Sequence, residues 1–356
     1  MKLLLTGVCG FVGGTLARAL QEIDPGIEIL GIDNFSRPGS ECNRLALKRR
    51  GVEVRHADLR SASDIQALPA VDYVIDAAAN PSVLAGVDGQ TGSRQLLEHN
   101  LGGTLNLLEY CKAAKAGFIL LSTSRVYALE PLASLPVKTA NGAFEPDPAG
   151  PLPPGLSAEG VAETFSTQPP LSLYGTSKRA SELLALEYGA AFGFPVWINR
   201  CGVLAGAGQF GRADQGIFTY WINAYLRRRP LQYIGFGGTG AQVRDCLHPA
   251  DLAPLLWRQI GRASQDGVPQ TVNLSGGRKQ SMSLAQLSNW CADRFGRHEV
   301  AANPAPRRFD IPWMVLDSTL AAKTLDWRPE RSLESILAEI AAHAHAHPDW
   351  LEISAP

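Results

Sequence analysis

The stretch LLLTGVCGFVGG, residues 3–14, decides the fold. Its leucines form a short apolar run, and Gly7, Gly10 and Gly13 follow it at three-residue spacing, just before the helical pattern of residues 14–23. A buried strand that leads through a glycine-rich turn into a helix brings backbone N–H groups and the positive helix N-terminus close to a pyrophosphate. The stretch therefore predicts that the chain opens with the first unit of a dinucleotide-binding α/β fold.

Further short apolar runs continue this pattern through the first half of the chain. They are IEILGID (27–33), VEVRHAD (52–58), DYVIDAA (72–78), GFILLSTS (117–124) and PVWINRC (195–201). Continuous apolarity marks strands buried on both faces, and the helical segments between them make the sheet parallel. We therefore predict a Rossmann-type doubly wound parallel sheet with a smaller C-terminal α+β substrate lobe. We assign residues 1–199 and 245–275 to the dinucleotide-binding domain, and residues 200–244 and 276–350 to the lobe.

The composition of the chain is that of an ordinary globular protein. Its 356 residues are 45% hydrophobic and 19% charged, with a formal net charge of -1, so no basic field favours nucleic acid or anionic lipid. No apolar run is long enough to cross a membrane. Six scattered cysteines without a C-x-x-C pair suggest no zinc or disulfide framework, and they fit a reducing compartment. We expect a cytoplasmic protein without nucleic-acid or membrane partners.

Two further segments call for an interpretation. Residues 129–170 hold nine of the 24 prolines, a density that excludes regular helix and central strand. So long a loop is either disordered or functional, and its end just before Tyr174 favours a lid or wall over the site. His343 and His347 are four residues apart, but solvated residues at a helix C-terminus explain them better than a metal site does. No metal is expected.

Acidic and small residues at strand ends indicate the cofactor. Asp33 ends the second strand twenty residues after Gly13, where its carboxylate can accept the ribose hydroxyls of the adenosine half. Because a carboxylate there repels a 2′-phosphate, NAD is expected rather than NADP, although Arg37 nearby could accommodate such a phosphate. Asp58 follows the third strand and is expected at the adenine amino group, and Ala77, Ala78 and Ala79 follow the fourth, close to the ribose and pyrophosphate.

The segment YGTSK, residues 174–178, predicts an acid/base pair. Tyr174 and Lys178 lie four apart, so they share one face of a helix that starts near the expected nicotinamide. A free tyrosine has a pKa near ~10, and the lysine, the cationic nicotinamide and the helix N-terminus would lower it. Tyr174 would then act on a substrate hydroxyl, and Lys178 would also hold the nicotinamide ribose. Thr123 would orient the same hydroxyl, unless its own hydroxyl only bonds nearby backbone.

Taken together, these motifs resemble the extended short-chain dehydrogenase/reductase family of nucleotide-sugar epimerases and dehydratases. The resemblance rests on TGVCGFVG, Asp33, STSRVY, YGTSK and GAQVRDCLHPADL, and it covers nearly the whole chain. It implies a triad of Thr123, Tyr174 and Lys178, and NAD held throughout turnover. It also implies a homodimer through the helices near residues 98–115 and 174–192, which could pair further into a tetramer.

The resemblance also bears on the reaction. Dehydratases of the family carry Asp-Glu after the triad threonine, and decarboxylating relatives place a Glu two residues after it, whereas this chain has Ser124 and Arg125. That difference points to epimerisation. Residues 33–43, 209–216 and 240–252 resemble the CDP-sugar 2-epimerase branch, which implies oxidation at carbon 2 to a keto sugar and re-reduction on its other face. The alternatives are a UDP-sugar 4-epimerase and a catalytically silent NAD-binding sensor or scaffold, against which the intact triad argues.

The same resemblance completes the predicted site. Arg244 and Arg307 match diphosphate-binding arginines, although either could be an ordinary surface ion pair. The predicted cofactor-binding residues are Gly7, Gly10, Phe11, Val12, Asp33, Asn34, Ser36, Arg37, Asp58, Leu59, Ala77, Ala78, Ala79, Asn100, Tyr174, Lys178 and Cys201. The predicted substrate-binding residues are Asn80, Ser82, Thr123, Gln209, Phe210, Gln215, Arg244 and Arg307.

Overall fold

The apolar runs assemble into one parallel sheet of seven strands. A computed structural model describes residues 1–87, 89, 92–212, 215–261 and 268–355. Its strands in chain order are β1 (Lys2–Thr6), β2 (Glu28–Asp33), β3 (Glu53–His56), β4 (Tyr73–Asp76), β5 (Gly117–Thr123), β6 (Val137–Ala140), β7 (Ala143–Pro146), β8 (Leu156–Ser157), β9 (Gly160–Val161), β10 (Val196–Cys201), β11 (Leu231–Ile234), β12 (Val243–Asp245), β13 (Thr271–Leu274), β14 (Ser281–Ser283), β15 (Val300–Asn303) and β16 (Trp313–Met314). The central sheet has the order β13-β10-β5-β4-β1-β2-β3, with every pair parallel.

Helices cover both faces of this sheet. In chain order the α-helices are α1 (Phe11–Ile23), α2 (Glu41–Arg49), α3 (Ala62–Gln66), α4 (Ser93–Leu97), α5 (Gly103–Ala114), α6 (Leu129–Ala133), α7 (Leu173–Phe192), α8 (Ile217–Leu226), α9 (Ala253–Ile260), α10 (Leu284–Phe295), α11 (Thr319–Thr324), α12 (Leu333–Ala346) and α13 (Trp350–Ile353). A π-helical turn at Glu98–Gly102 joins α4 to α5. No helix in the described ranges is long and apolar enough to cross a membrane.

Alternate side chains of β1 show why its sequence is apolar throughout. Leu3 and Leu5 enter the hydrophobic core on one side of the sheet, which includes Leu16 of α1. Leu4 enters the core on the other side, which includes Leu107 of α5. Each fully buried leucine contributes roughly 1.5–3 kcal/mol to stability, so a polar residue at any of these positions would be costly. The predicted doubly wound fold is confirmed.

The chain leaves the central sheet after β10 and builds a smaller lobe. It forms α8, β11 and β12, returns to the sheet with β13, and then adds α10, α12 and α13. A separate apolar core holds this lobe together, in which Trp221 of α8 packs with Leu287 of α10 and Ile340 of α12. Two small sheets, β11–β15 and β14–β12–β16, complete it. The domain boundaries given above stay a prediction.

The proline-rich segment 129–170 is folded, and the prediction of a lid or wall over the site is wrong. It forms the short helix α6 and the antiparallel hairpins β6–β7 and β8–β9. Its apolar side chains, Leu132 and Phe165 among them, pack against Trp313 of the lobe. A helix forms despite Pro131 because proline is tolerated in a first turn, where the N–H needs no acceptor. None of residues 129–170 lines the cavities described below.

Candidate active site

Two adjoining cavities lie at the carboxyl edge of the central sheet. The larger, of about 460 Å³, extends from the glycine turn after β1 to the C-terminal lobe, and the smaller, of about 270 Å³, lies beside the ends of β2 and β3. The predicted site residues on the larger cavity are Gly7, Gly10, Phe11, Val12, Asp33, Asn34, Ser36, Arg37, Ala77, Ala78, Ala79, Thr123, Tyr174, Lys178, Cys201, Gln209, Phe210, Gln215, Arg244 and Arg307. Most of the predicted site is therefore brought to one continuous cleft.

The glycine turn fits a pyrophosphate. Gly7 has a φ of +61°, and the Gly10 N–H donates to its carbonyl at 2.9 Å. A Cβ on Gly13 would lie 2.2 Å from the Gly7 oxygen, so the turn closes against the helix only with glycine there. Gly10, the N-cap of α1, makes no side-chain cap, and Phe11 and Val12 line the cavity. Uncapped helix N–H groups beside a cavity suit an anion.

Asp33 lies on both cavities at the end of β2. Its Oδ2 accepts from the Cys9 N–H at 2.9 Å and its Oδ1 from the Phe35 N–H at 2.8 Å. Burial raises the pKa of Asp33, and these backbone donors oppose the rise. Arg37 nearby donates to Gln215 Oε1 at 2.9 Å and to the Phe210 carbonyl. These bonds tie the loop after β2 to the lobe.

The smaller cavity is lined by predicted cofactor residues and by two predicted substrate residues. Asp58 and Leu59 line it after β3, and hydrogen bonding from Arg60 holds the pKa of Asp58 well below its ordinary value. Asn80 and Ser82, predicted to bind substrate, also line this smaller cavity. They are not among the residues that line the larger one, although Pro81 and Val83 of the same loop are. The structure thus groups them with Asp58 and Leu59, which are predicted to bind the cofactor.

The structure does not bring Asn100 to either cavity. Its Oδ1 accepts from the Asn80 N–H at 2.8 Å, and its Nδ2 donates to the Asn80 carbonyl and to Ser177 Oγ, both at 3.1 Å. The side chain thus links the loop after β4 to α7, and these hydrogen bonds engage both its Oδ1 and its Nδ2. A role in positioning that loop fits these contacts.

The predicted triad converges because two turns of the chain touch. Thr123 ends β5, Tyr174 lies in the first turn of α7, and Lys178 lies one turn further on; all three line the larger cavity. The N-cap Ser172 accepts from the Gly175 N–H at 3.0 Å. A Cβ at Gly175 would lie 2.2 Å from a backbone oxygen of the turn after Thr123, so α7 can start this close only with glycine.

Charged groups lie around the triad. Burial raises the pKa of Tyr174, while a hydrogen bond with Thr123 and the charge of Arg125 lower it. Burial lowers the pKa of Lys178, while the carboxylates of Asp76 and Glu182 raise it. The Lys178 ammonium thus interacts with two carboxylates, and Arg125 contributes positive charge near the phenol. That Lys178 and the nicotinamide lower the pKa of Tyr174 stays a prediction.

A buried ion pair holds α7 against the sheet below the triad. Arg200 of β10 donates to Glu182 of α7 at 2.7 and 3.0 Å, and Ser122 of β5 donates to the same carboxylate at 2.6 Å. Removing one partner of a buried pair leaves an uncompensated charge, which is strongly destabilising. The pair therefore fixes the helix that carries Tyr174 and Lys178. Cys201, at the end of β10, lines the cavity, and burial raises the pKa of its thiol to about 12.

The far end of the larger cavity is cationic. Among the residues that the structure describes, Arg125, Arg244, Arg307 and Arg308 line it with Asp310, four positive charges against one negative. The Nη2 of Arg244 donates to Asp310 at 2.9 Å, and its Nη1 donates to two backbone carbonyls. Burial lowers the pKa of Arg244. A diphosphate suits such an end, since guanidinium groups hold phosphate oxygens well.

The polar side chains of the 209–216 loop are engaged within the protein. Gln209 donates to the Leu204 carbonyl at 2.8 Å and accepts from Thr219 at 3.0 Å. Phe210 stacks on Trp350, with ring centroids 5.2 Å apart. Residues 213 and 214 of this loop lie outside the described residues. The loop thus shapes the wall of the cavity.

Sequence reasoning missed several residues of the cationic end. In the sequence, Arg125 served only to show that the acidic residues of dehydratases and decarboxylating relatives are missing. A charged residue two positions after Thr123 could also have indicated a residue of the site. No sequence pattern marked Arg308 or Phe309 as a residue of the site. They reach the cavity because their loop folds back over β12, a long-range contact that no local pattern indicates.

The C-terminal histidines differ from their prediction in one respect. His343 packs on Trp350, with ring centroids 4.6 Å apart, and burial lowers its pKa to about 4, so it is not simply solvated. Its ring lies 4.3 Å from that of His347. In the described part of the chain, no three His, Cys, Asp or Glu side chains are placed to hold a metal ion.

Comparisons with known proteins agree with this geometry. A model of the NAD dependent epimerase/dehydratase family matches residues 3–275. The CDP-paratose 2-epimerase of Salmonella typhi is 30% identical over 346 residues, which cover 93% of this chain and 96% of that protein. The UDP-glucuronate 4-epimerase of Thermodesulfobacterium geofontis is 27% identical, with 93% and 92% covered. A UDP-glucuronic acid 4-epimerase from Bacillus cereus, solved with UDP-glucuronic acid and NAD, superposes with a TM-score of 0.76 at 24% identity, covering 97% of this chain and 99% of that one.

Proposed function

The chain belongs to the NAD-dependent epimerase/dehydratase family, and from that membership we propose that it interconverts CDP-paratose and CDP-tyvelose by epimerisation at carbon 2. Membership confirms the predicted family, the NAD dependence and the epimerase class. The choice of sugar is the proposal. The observation that carries it is the likeness to a CDP-paratose 2-epimerase along 93% of the chain, at 30% identity. The cationic end of the cavity supports it, because a nucleotide sugar is anchored by its diphosphate.

The residues present fit NAD. The glycine turn would hold the pyrophosphate, Asp33 the ribose hydroxyls, and Lys178 the nicotinamide ribose. When bound, NAD supplies a reversible two-electron oxidation of the sugar carbon. Since the electrons return to the sugar within one turnover, the enzyme needs no second redox substrate.

The side chains of the protein supply the proton transfer and the anchoring. The Tyr174 phenolate takes the proton from the sugar hydroxyl as the carbon is oxidised, and Thr123 holds the same oxygen. Arg244 and Arg307 keep the diphosphate fixed while the keto sugar turns its other face toward the nicotinamide. Tyr174 then returns the proton to the oxygen as the carbon is reduced, so the phenolate is regenerated.

Proton NMR of the purified enzyme with CDP-tyvelose tests the proposal. We expect the anomeric and C2 proton signals of CDP-paratose to grow with time. Tyr174→Phe should keep bound NAD and lose turnover by about 10²-fold to 10⁴-fold, since it removes the acid/base. Product formation that is the same in Tyr174→Phe as in the parent would contradict the assigned role.

One observation favours a second substrate class. The UDP-glucuronate 4-epimerase relative is almost as similar, at 27% identity over a comparable share of the chain. If CDP-tyvelose is unchanged, UDP-glucuronate and UDP-glucose are tried with the same enzyme. Turnover of a UDP-sugar at carbon 4 would replace the CDP-sugar proposal and leave the triad assignment intact.

The proposal includes a homodimer. The helices α5 and α7 pack side by side, and Leu105 and Leu183 on them are 40% and 50% exposed. A second copy of the chain would cover these leucines. Light scattering checks this, and a monomeric mass at micromolar concentration would contradict it.

A further inference from the structure

The proline-rich segment 129–170 joins two parts of the triad and also contacts the lobe sheet β14–β12–β16. It begins shortly after Thr123 and ends just before Tyr174. In the lobe sheet β12 is the central strand, and its Arg244 lies opposite Met282 of β14. Both of these residues line the larger cavity, whereas none of the segment's own residues, all of which the structure describes, does so. The segment can therefore act on a substrate only through residues that it positions.

The tip of the hairpin β6–β7 is bonded to one edge of the lobe sheet. Asn141 and Gly142 form its two-residue turn with φ of +50° and +73°, as in a type I′ turn with an Asn-Gly sequence. Ser283, the last residue of β14, donates from Oγ to the Gly142 carbonyl at 2.7 Å. Gln286 donates from Nε2 to the Asn141 carbonyl at 3.2 Å. Two consecutive carbonyls of the turn are thus held by the start of α10.

The same two side chains cap α10. The Gln286 N–H donates to Ser283 Oγ at 3.1 Å, and the Ser283 N–H donates to Gln286 Oε1 at 3.0 Å, which completes a capping box. The Ser283 hydroxyl therefore accepts from the helix and donates to the hairpin, and the Gln286 amide divides its oxygen and nitrogen in the same way. Ser283 and Leu284 line the larger cavity. The capping box thus connects the hairpin to the wall of the cavity.

A second contact holds the opposite edge of the lobe sheet. Val161 of β9 donates its N–H to the Val315 carbonyl at 2.8 Å and accepts from the Asp317 N–H at 2.9 Å, so it lies alongside the residues that follow β16. Gly160 has a φ of +143°, and a Cβ there would lie 2.7 Å from the Asp317 nitrogen. Because a side chain would force the two backbones apart, this contact depends on glycine.

The centre of the lobe sheet is also held by the segment. Phe165 shares a hydrophobic core with Val243 of β12 and Trp313 of β16. The Phe144 N–H of β7 donates to the Ala241 carbonyl, two residues before β12, at 2.8 Å. One stretch of chain therefore contacts both edges and the central strand of the sheet.

We propose that the segment 129–170 is a brace, which positions Arg244 and the wall at residues 282–284 for the diphosphate of the nucleotide sugar and so sets the affinity for that ligand without touching it. The nature of the ligand rests on the proposed function, whereas the bracing of the sheet does not. Because the segment also leads directly into α7, it fixes the diphosphate anchor relative to the acid/base pair. Gln286 is the positioning residue on which the brace can be tested.

Gln286→Glu removes one contact with the hairpin and keeps the helix cap. A carboxylate still accepts from the Ser283 N–H, but it has no hydrogen to donate to the Asn141 carbonyl. In calorimetry on the NAD-bound enzyme, we expect the affinity for CDP to fall about three- to tenfold, and KM for a sugar that turns over to rise by the same factor. NAD content and kcat should change less than about twofold, because the triad and the glycine turn are untouched.

A matched control lies on the same helix. Asn289→Asp adds the same negative charge at an exposed position three residues further along α10, so CDP affinity and KM should not change. Thermal melting establishes that each variant is folded. The proposal is overturned if Gln286→Glu leaves CDP affinity unchanged, if Asn289→Asp lowers it equally, or if NAD content falls in parallel with it.

A second variant weakens the hairpin from its apolar side. Phe144→Ala removes an edge-to-face contact with Phe236, whose ring centroid is 5.5 Å away, so CDP affinity should fall here too. Combined with Gln286→Glu, it should lower the affinity by less than the product of the two single factors, because both changes act through one hairpin. Fully multiplicative effects would contradict a common brace.

Hydrogen exchange separates the brace from the proposed function. In Gln286→Glu we expect the backbone amides of β12 and β14 to exchange at least about threefold faster than in the parent, with those of β1 unchanged. Asn289→Asp should exchange like the parent. If the parent binds neither CDP nor UDP and no nucleotide sugar turns over, the proposed function fails. Exchange still decides the brace in that case, and unchanged rates in β12 and β14 overturn it.

Discussion

The cleft has a cofactor half, at the glycine turn after β1, and a substrate half, at the cationic end of the larger cavity. The two halves are built from different chemical groups. In the cofactor half, the backbone geometry at Gly7 and Gly13 forms the turn that fits a pyrophosphate, and Asp33 adds a buried carboxylate. In the substrate half, arginine side chains from distant segments converge, among them Arg125 after β5 and Arg244 on β12. The cofactor half is a local structure of a few consecutive residues, whereas the substrate half exists only when the lobe is folded.

The difference also concerns charge. The guanidinium groups of Arg125 and Arg244 are fixed largely by backbone carbonyls, and Asp310 is the one carboxylate among the described residues that line their end of the cavity. Carbonyls orient a cation without neutralising it, so the end keeps its positive field for an anionic ligand. Tyr174 lies where the two halves meet. Its helix depends on Gly175 for a close approach to the turn after β5.

NAD binding in the cofactor half should be the property most sensitive to a single added methyl group. Gly13→Ala places a Cβ 2.2 Å from the Gly7 oxygen, so the turn must open, and we expect NAD affinity to fall by about 100-fold or more. NAD content after purification measures this. Gly102→Ala is the matched control, because its nearest neighbour would be 3.9 Å away. Equal NAD content in both variants would contradict the prediction that cofactor binding depends on the close packing at Gly13.

Substrate binding in the other half should depend on the forked shape of the Arg244 guanidinium more than on its charge. Arg244→Lys keeps the charge but loses the fork that bonds Asp310 and two carbonyls, so we expect KM for the nucleotide sugar to rise about 10-fold, with NAD content unchanged. Initial rates against sugar concentration measure this. Arg278→Lys, whose half-exposed arginine pairs with Glu145 outside the cavities, should leave KM unchanged. A loss of NAD in Arg244→Lys would show that the halves are not independent.

The last prediction concerns the buried carboxylate of the cofactor half. Asp33→Ala removes a negative charge beside the ribose site, so the preference for NAD over NADP should fall by about tenfold, or about 1.4 kcal/mol. Both affinities should be measured by calorimetry on the cofactor-free protein. Glu28→Ala, at the exposed start of the same strand, is the control. An unchanged preference would mean that the backbone, not Asp33, selects the cofactor.

The success of the sequence predictions follows the same division. The glycine turn and Asp33 could be predicted because strand, turn and helix are consecutive, so their geometry is encoded within a few residues. Thr123, Tyr174 and Lys178 come from separate segments, but each lies next to a recognisable strand end or helix start. The lid prediction for residues 129–170 failed because proline density excludes regular structure but does not say what the remaining apolar side chains will pack against.

By itself the sequence determined the doubly wound sheet and the expectation of NAD, because periodicity and turn chemistry are local properties of the chain, and its motifs carried the resemblance to the family. Only the tertiary structure decided that Asn80 and Ser82 line the smaller cavity, that Asn100 links the loop after β4 to α7, and that Arg125 and Arg244 line the same cavity. Each of these depends on which distant segments meet. Electrostatic interactions act through space, so the partner of a charge is fixed by packing and not by its neighbours in the chain.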